Sequence, residues 1–125
     1  MRNALRVLVS FLSILGLYSF AFAQQDVAVD PAHHKLEFEN NCVRVVRATF
    51  GPGEKSAALF DAKGVVIVSL TGSQGGKLTF PDGASIVTPP TTAGQVFWAP
   101  PGRIQPENTG DTRVEYIVIE PKGCN

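Results

Sequence analysis

The sequence has 125 residues, in which 11 Lys and Arg residues balance 11 Asp and Glu residues, and 44% of the residues are hydrophobic. This length suits one domain with a single modest core. Because the basic residues are scattered singly and form no stripe, we expect no nucleic-acid partner.

The first 23 residues have the three parts of a secretory signal peptide. Arg2 and Arg6 form the basic part, residues 7–20 are almost wholly apolar, and Ala21 and Ala23 supply the small residues of a cleavage site. The apolar stretch is shorter than the ~20 residues that cross a membrane, so an uncleaved anchor is the less favoured alternative. We expect an exported protein with no membrane contact after cleavage, carrying a net charge of −2 from 9 basic and 11 acidic residues.

The predicted organisation is a signal peptide over 1–23, a polar N-terminal arm over 24–34, a β-domain over 35–120 and a tail over 121–125.

His33 and His34 are adjacent, and neighbouring residues of a strand point to opposite faces. The pair is therefore expected to be surface or strand-end histidines and not to chelate one ion.

Short strands separated by turn residues fill the predicted domain, and no window has helical periodicity. The predicted strands are Lys35–Glu39, Cys42–Phe50, Ser56–Phe60, Val65–Leu70, Lys77–Phe80, Ala84–Thr88, Gln95–Ala99 and Thr112–Glu120. Asn40–Asn41 and Asp82–Gly83 make tight turns between neighbouring strands. This pattern predicts an all-β sandwich or barrel.

The two cysteines, Cys42 and Cys124, are expected to form a disulfide. Export places the chain in an oxidising compartment, and no metal-binding spacing competes for them.

Glycines and prolines punctuate two stretches of the sequence, residues 53–72 and residues 94–108. These stretches resemble the two motifs of the cupin superfamily. The first motif reads Gly, five residues, His-x-His, three or four residues, Glu, six residues, Gly. The second reads Gly, five residues, Pro-x-Gly, two residues, His, three residues, Asn. The matching positions here are Gly53, Leu59, Asp61, Val65 and Gly72 in the first, and Gly94, Pro100, Gly102, Gln105 and, one residue early, Asn108 in the second.

The resemblance implies a double-stranded β-helix, the jelly-roll barrel of small exported bacterial cupins, in the periplasm or outside the cell. It also implies that Leu59 and Asp61 point into the barrel, that Phe60 points to the other face, and that two barrels form a homodimer through their sheets. In metal-binding members the four ligand positions hold His, His, Glu and His. Leu59 and Val65 have no donor atoms, so we expect a degenerate site without a metal or other cofactor.

The resemblance makes the barrel interior the expected ligand site, formed by Leu59, Asp61, Val65, Gln105, Arg47 and Trp98. Asp61 has two alternatives: an ion pair inside the barrel with Arg47 or Arg103, or a solvated position at the start of a turn, which we favour. Trp98 is expected mainly to pack in the core, and otherwise to line the pocket.

The sequence is compatible with three functions. The first is a small-molecule binding domain without catalytic activity. The second is a metal-independent enzyme, similar to isomerases, that uses Asp61 or Glu107 as an acid or base. The third is a scaffold that binds another protein. We favour binding.

Overall fold

The computed structural model describes residues 30–124, apart from the side chain of Phe60. The predicted signal peptide and residues 24–29 of the predicted arm lie outside this range. All regular structure in the described part is β. The nine strands are β1 (His34–Glu39), β2 (Val43–Phe50), β3 (Phe60–Ala62), β4 (Val65–Ser69), β5 (Gly76–Thr79), β6 (Ser85–Thr88), β7 (Val96–Ala99), β8 (Gly102–Asn108) and β9 (Val114–Pro121). No helix among these residues is long and apolar enough to cross a membrane.

The strands form two antiparallel sheets. The five-stranded sheet has the order β1-β2-β9-β4-β7, and the four-stranded sheet has the order β3-β8-β5-β6. From β2 to β9 the chain passes back and forth between the sheets, which gives the jelly-roll connectivity of a double-stranded β-helix. The all-β prediction is confirmed.

The inner face of each sheet is identified by alternation of burial along its strands. On β2, positions 44, 46, 48 and 50 are buried, and the intervening positions are only half-buried. Ala48 and Phe50 pack with Val114 of β9 at the closed end of the sandwich. In the four-stranded sheet, Asn108 and Ser56 are buried and mark the inner face.

Two predicted turns are present. The Asn40 side chain accepts hydrogen bonds from the backbone N–H groups of Cys42 and Val43, which closes the β1–β2 hairpin. Gly83 has a φ of 85°, which glycine adopts without strain, and it follows Asp82 in the β5–β6 hairpin.

Strand prediction was wrong at two places. The strand predicted over Ser56–Phe60 begins only at Phe60. Lys55 forms an isolated bridge with Glu107 of β8 and the Ser56 N–H donates to the Pro106 carbonyl, but residues 57–59 leave the ladder. Strand β8 was missed because Pro106 lies in its middle, and proline is rare in a central strand. Here the Pro106 carbonyl accepts a hydrogen bond from Ser56, which pairs this side of the strand.

The residues just before β1 are hydrogen-bonded to its start. Asp30 is buried, its carbonyl accepts hydrogen bonds from the backbone of His33 and His34, and His34 is the first residue of β1. His34 is therefore at a strand end, as predicted, but it is buried and does not lie on the surface.

The predicted disulfide is confirmed: Cys42 and Cys124 are bonded across 82 positions of sequence. It joins the start of β2 to the tail after β9. The backbone N–H of Lys122 also donates to the carbonyl of Cys42 at 2.8 Å, so the tail docks by more than the covalent bond.

Candidate functional site

The four positions aligned with cupin metal ligands do not converge in the structure. Val65 is buried on the inner face of β4. Asp61 pairs with Arg103 across β3 and β8, and its side chain is 63% exposed, so the expectation that it points into the barrel is wrong. Gln105 shares the face of Arg103 and donates a hydrogen bond to the carbonyl of Ser56. Leu59 is half-buried in the segment before β3.

These residues do not fit a metal ion of the kind that cupins bind. Asp61 supplies a carboxylate on the outer face of one sheet, whereas Val65 lies on the inner face of the other and has no donor atom. Across residues 30–124, no three His, Cys, Asp or Glu side chains come together as a metal site.

Of the two alternatives for Asp61, the solvated one is confirmed, although Asp61 lies in β3 and does not begin a turn. Arg47 is not its partner. The Arg47 guanidinium donates to Glu37 at 2.7 Å and lies 3.6 Å from Glu115, and the hydrogen bond from Arg47 lowers the pKa of Glu37.

Trp98 was expected to pack mainly in the core, and this is wrong. It is 57% exposed on the outer face of β7.

The space between the two sheets is the candidate site. A row on the inner face of the five-stranded sheet runs from Val46 through Val118 and Ile67 to Phe97. Val46 is fully buried, but the other three are only half-buried. On the facing sheet, Leu78, Ile104 and Ile86 are apolar inner-face positions that also stay partly accessible. Burial on the apolar inner faces is therefore complete at Val46 and partial on β4, β7 and β6.

A charged group borders this space, and sequence reasoning missed it. Arg44 and Glu120 form a charged cross-strand row on the inner face, the face on which Val65 of β4 is also buried. The Arg44 side chain is 3% exposed, with its Nη1 3.5 Å from Glu120 and its Nε 3.8 Å from Glu39, while Lys63 lies 3.7 Å from Glu120. The signal for this group in the sequence is Arg44, which shares its face of β2 with apolar residues only.

A second polar cluster closes the opposite end of the sandwich. The buried Asp30 carboxylate contacts His33 Nδ1 at 2.8 Å and 2.9 Å, and His33 Nε2 lies 3.0 Å from Glu54. The His33 ring stacks on Phe50 at 4.7 Å. The backbone N–H of Gly51, followed by His33, lowers the pKa of Glu54. Both ring nitrogens of His33 have carboxylate partners, so this cluster clamps the N-terminal segment to the β2–β3 loop.

A shallow surface cleft of about 290 Å³ lies beside His33 and His34. Its walls include Arg47 and Arg113, both of which already pair with Glu115. The charges of the cleft are therefore compensated within the chain, as are those of Arg44 and Lys63. Because the inner faces carry partly exposed apolar residues, we favour the inter-sheet space as the site.

No protein-family model matches the sequence, and no curated protein is significantly similar to it. Solved structures do resemble the fold. A cupin domain from Bordetella pertussis Tohama I superposes with a TM-score of 0.63 at 25% identity, covering 72% of this chain and 92% of its own. An RmlC-like cupin family protein with a double-stranded β-helix fold from Methanocaldococcus jannaschii gives 0.54 at 14% identity, covering 70% and 77%.

The polyketide cyclase RemF from Streptomyces resistomycificus gives a TM-score of 0.53 at 16% identity, covering 80% of this chain and 74% of its own. At that identity the likeness concerns the fold alone. The two-sheet topology and these superpositions agree with the sequence motifs around Gly53 and Gly94. The chain therefore has the double-stranded β-helix fold of the cupin superfamily, with no histidine at any of the ligand positions of its two motifs.

Proposed function

We propose that the chain is an exported cupin domain that binds a small, mainly apolar molecule between its two sheets without a metal ion. The observation that carries this proposal is the partial exposure of Ile67, Phe97 and Val118 on the inner face. These are apolar residues of the central and neighbouring strands, and they face the other sheet.

Packed β-sandwiches fill the space between their sheets with interdigitating side chains at the density of an organic crystal. Central positions such as Ile67 and Val118 would then be fully buried, as Val46 is. Apolar surface left accessible inside a fold costs about 25 cal/mol for each Å² that stays in contact with water. A ligand that covers this surface recovers that free energy, and concave apolar walls of this kind are typical of small-molecule sites.

The charged row beside the apolar inner face suggests how such a ligand is oriented. Arg44 and Lys63 both lie near Glu120, beside the inner-face residue Val65. A molecule with an apolar body and one polar or anionic group would place its body against Ile67 and its polar group towards this row. Of the residues predicted from sequence to contact a ligand, Val65 alone belongs to the site proposed here.

Catalysis by Asp61 or Glu107 is less well supported. Asp61 pairs with Arg103, and Glu107 pairs with Lys77 at 3.2 Å, both on the outer face of the four-stranded sheet. Neither carboxylate faces the space between the sheets, so neither reaches a molecule bound there.

Export is supported by the disulfide, since bonds of this kind persist in oxidising compartments. The secreted or periplasmic protein is expected to start at Gln24. The intact mass of the protein purified from its own host determines this first residue. Protein recovered from the cytoplasm with its first 23 residues intact would contradict export.

Two substitutions at neighbouring residues of β6, whose side chains point to opposite faces of the sheet, test the binding site. Ile86 faces inward and Val87 faces outward. Ile86→Trp fills part of the inter-sheet space, and Val87→Trp adds the same volume outside. We expect Ile86→Trp to weaken binding of the fluorescent probe 8-anilinonaphthalene-1-sulfonate at least tenfold, or about 1.4 kcal/mol. Val87→Trp should bind like the parent protein. Equal affinities of the two variants would place the probe elsewhere and overturn the proposal.

A further inference from the structure

The edge strand β7 presents open backbone groups next to exposed apolar side chains. Among the described strands of its sheet, β7 pairs only with β4, so its other side is open. Val96 and Trp98 are 60% and 57% exposed, and both lie on the outer face of β7. We infer that this edge binds an extended segment of another protein, which adds to the sheet as a sixth strand.

The hydrogen bonds between β4 and β7 show which backbone groups face the open side. In an antiparallel pair, opposite residues either exchange N–H···O bonds or point these groups away from each other, and the two kinds alternate. The N–H of Ser69 donates to the carbonyl of Gln95 at 2.9 Å, so this pair is of the first kind. In the register that follows, the pairs made by Val96 and Trp98 are of the second kind. Their N–H and C=O groups therefore point to the open side.

The pairing of β4 with β9 leads to the same conclusion. The N–H of Leu70 donates to the carbonyl of Glu115 at 2.9 Å, and alternation from this pair makes Val66 and Val68 exchange their bonds with β9. Both backbone groups of these two valines are then used, and none is left for their partners on β7. Among residues 30–124, no loop backbone hydrogen-bonds to the open side of β7. Two donors and two acceptors are available there.

The edges at the opposite ends of the two sheets are protected against such pairing. Strand β1 carries Lys35, Glu37 and Glu39 and contains a β-bulge. Strand β3 has only three residues, one of which is the exposed Asp61. Charged residues, bulges and shortness are the devices by which natural proteins keep sheet edges from pairing with other chains. Strand β7, with the sequence Val-Phe-Trp-Ala, has no charged residue and no shift of register.

Trp98 is held in position although more than half of it is exposed. A Cβ atom at Gly64 would overlap its indole ring, so the ring lies directly over the glycine backbone. An exposed tryptophan that is already fixed loses little conformational entropy on binding, and tryptophan is enriched among the residues that dominate binding energy. A strand added to β7 would lie beside this ring.

The edge strand β6 provides an internal comparison. The N–H of Phe80 donates to the carbonyl of Ala84 at 2.8 Å, so the same alternation points the backbone groups of Ser85 and Val87 to the open side of β6. Of these two residues only Val87 is apolar, and β6 contains no aromatic residue. This edge therefore offers the same backbone groups without the apolar pair that β7 has.

The geometry of β7 defines the chemistry of the partner segment. In an antiparallel addition, the residues opposite Val96 and Trp98 exchange hydrogen bonds with them and place their side chains on the outer face. These two residues of the partner should be apolar, and the residue between them lies opposite Phe97. Because β7 has four residues and Pro100 follows it, a stretch of about four residues in extended conformation is sufficient.

The main test is amide hydrogen exchange, measured by two-dimensional NMR of the mature protein with the peptide acetyl-Lys-Thr-Val-Thr-Val-Thr-Lys-amide as the probe. At saturation we expect exchange of the Val96 and Trp98 N–H groups to slow by at least about tenfold. The N–H groups of Ser85 and Val87 are the control and should exchange at the rates of the free protein. Unchanged exchange at Val96 and Trp98, or protection at β6 instead, would overturn the inference.

Proline variants test the direction of the backbone groups. Val96→Pro removes an open-side N–H and breaks no hydrogen bond of the sheet, and proline is tolerated at such edge positions. We expect this variant to keep its circular dichroism spectrum and to bind the peptide at least about tenfold more weakly. Val87→Pro removes the equivalent N–H from β6 and should bind like the parent protein. If Val96→Pro does not fold, Trp98→Ala is the second variant, with the same expected loss.

N-methylated peptides separate strand addition from contact through side chains alone. Methylation of both valine nitrogens removes the two N–H groups that face β7 and should abolish binding, whereas methylation of two threonine nitrogens should leave it unchanged. Equal affinities of the two methylated peptides would overturn the inference. Protection of Val96 and Trp98 that rises with protein concentration without peptide would assign the edge to a second copy and would equally overturn it.

Discussion

Removal of the disulfide offers the most quantitative test of the stability of this fold. In the double variant Cys42→Ser/Cys124→Ser, the folded domain keeps its other contacts at this point. The Lys122 side chain donates to the carbonyl of Asn40 at 3.0 Å and pairs with Glu39 at 3.3 Å. These bonds hold the tail beside β1 and β2 without the sulfur atoms. The main effect is therefore expected in the unfolded chain, which gains conformational freedom.

The size of that effect follows from the 82 positions between the cysteines. In the chain-entropy model, closing a loop of this length destabilises the unfolded state by at most about 4.5 kcal/mol. Single domains have unfolding free energies of about 5–15 kcal/mol, so the variant should remain folded but lose a large share of its stability. We expect a loss of about 3–4.5 kcal/mol.

Equilibrium urea unfolding, followed by far-ultraviolet circular dichroism, measures this loss. With a slope of about 1.5–2 kcal/mol per molar, the midpoint should fall by about 2 M. The slope itself should increase, because an unfolded chain without the cross-link exposes more surface. The parent protein under reducing conditions is the control and should behave like the double variant. An unchanged midpoint would show that the disulfide does not constrain the unfolded chain, and would refute the reasoning.

Three further predictions concern carboxylates in different surroundings. Asp30→Asn removes a charge-assisted hydrogen bond to His33 from a side chain that is 2% exposed. It should lower the free energy of unfolding, measured in urea, by about 1.5–3 kcal/mol. The control Asp111→Asn, at an exposed carboxylate, should cause no measurable loss. Equal losses of stability in the two variants would contradict the conclusion that the Asp30–His33–Glu54 cluster holds the N-terminal segment in place. Glu54→Gln should lower the melting temperature at pH 7. A backbone N–H and the His33 ring lower the pKa of Glu54 below its usual 4.5, so the stability it contributes is present above pH 4.5 and is lost as the pH falls through the lowered value. The difference between variant and parent should therefore shrink in acid, and a difference that grows would refute the sign. Asp61→Asn should change stability by less than about 0.5 kcal/mol and leave probe binding unchanged, because its carboxylate is exposed on the outer face. Weaker probe binding by this variant would show that Asp61 belongs to the binding site.

Several features of this protein were predictable because their physical causes are local or need no geometry. The Asp82–Gly83 turn follows from the conformational freedom of glycine, and the pairing of Cys42 with Cys124 follows from having two cysteines in a chain that is expected to be exported. The absence of histidine from the motif positions could be stated from the sequence alone. The β class of the fold follows from short apolar stretches between Gly and Pro residues, since these stretches are of strand length and have no helical periodicity.

The direction in which a side chain faces was decided by the tertiary structure. Alternation along a strand shows which residues share a face, but not which face meets the other sheet. Pairing with Arg103 of β8 places Asp61 outside the barrel, and this strand was missed because of its proline. The inner-face row from Val46 through Val118 and Ile67 to Phe97 also exists only in three dimensions. Its strands β2, β9, β4 and β7 are separated in sequence and become neighbours only through long-range pairing, so no local window of the sequence could align them.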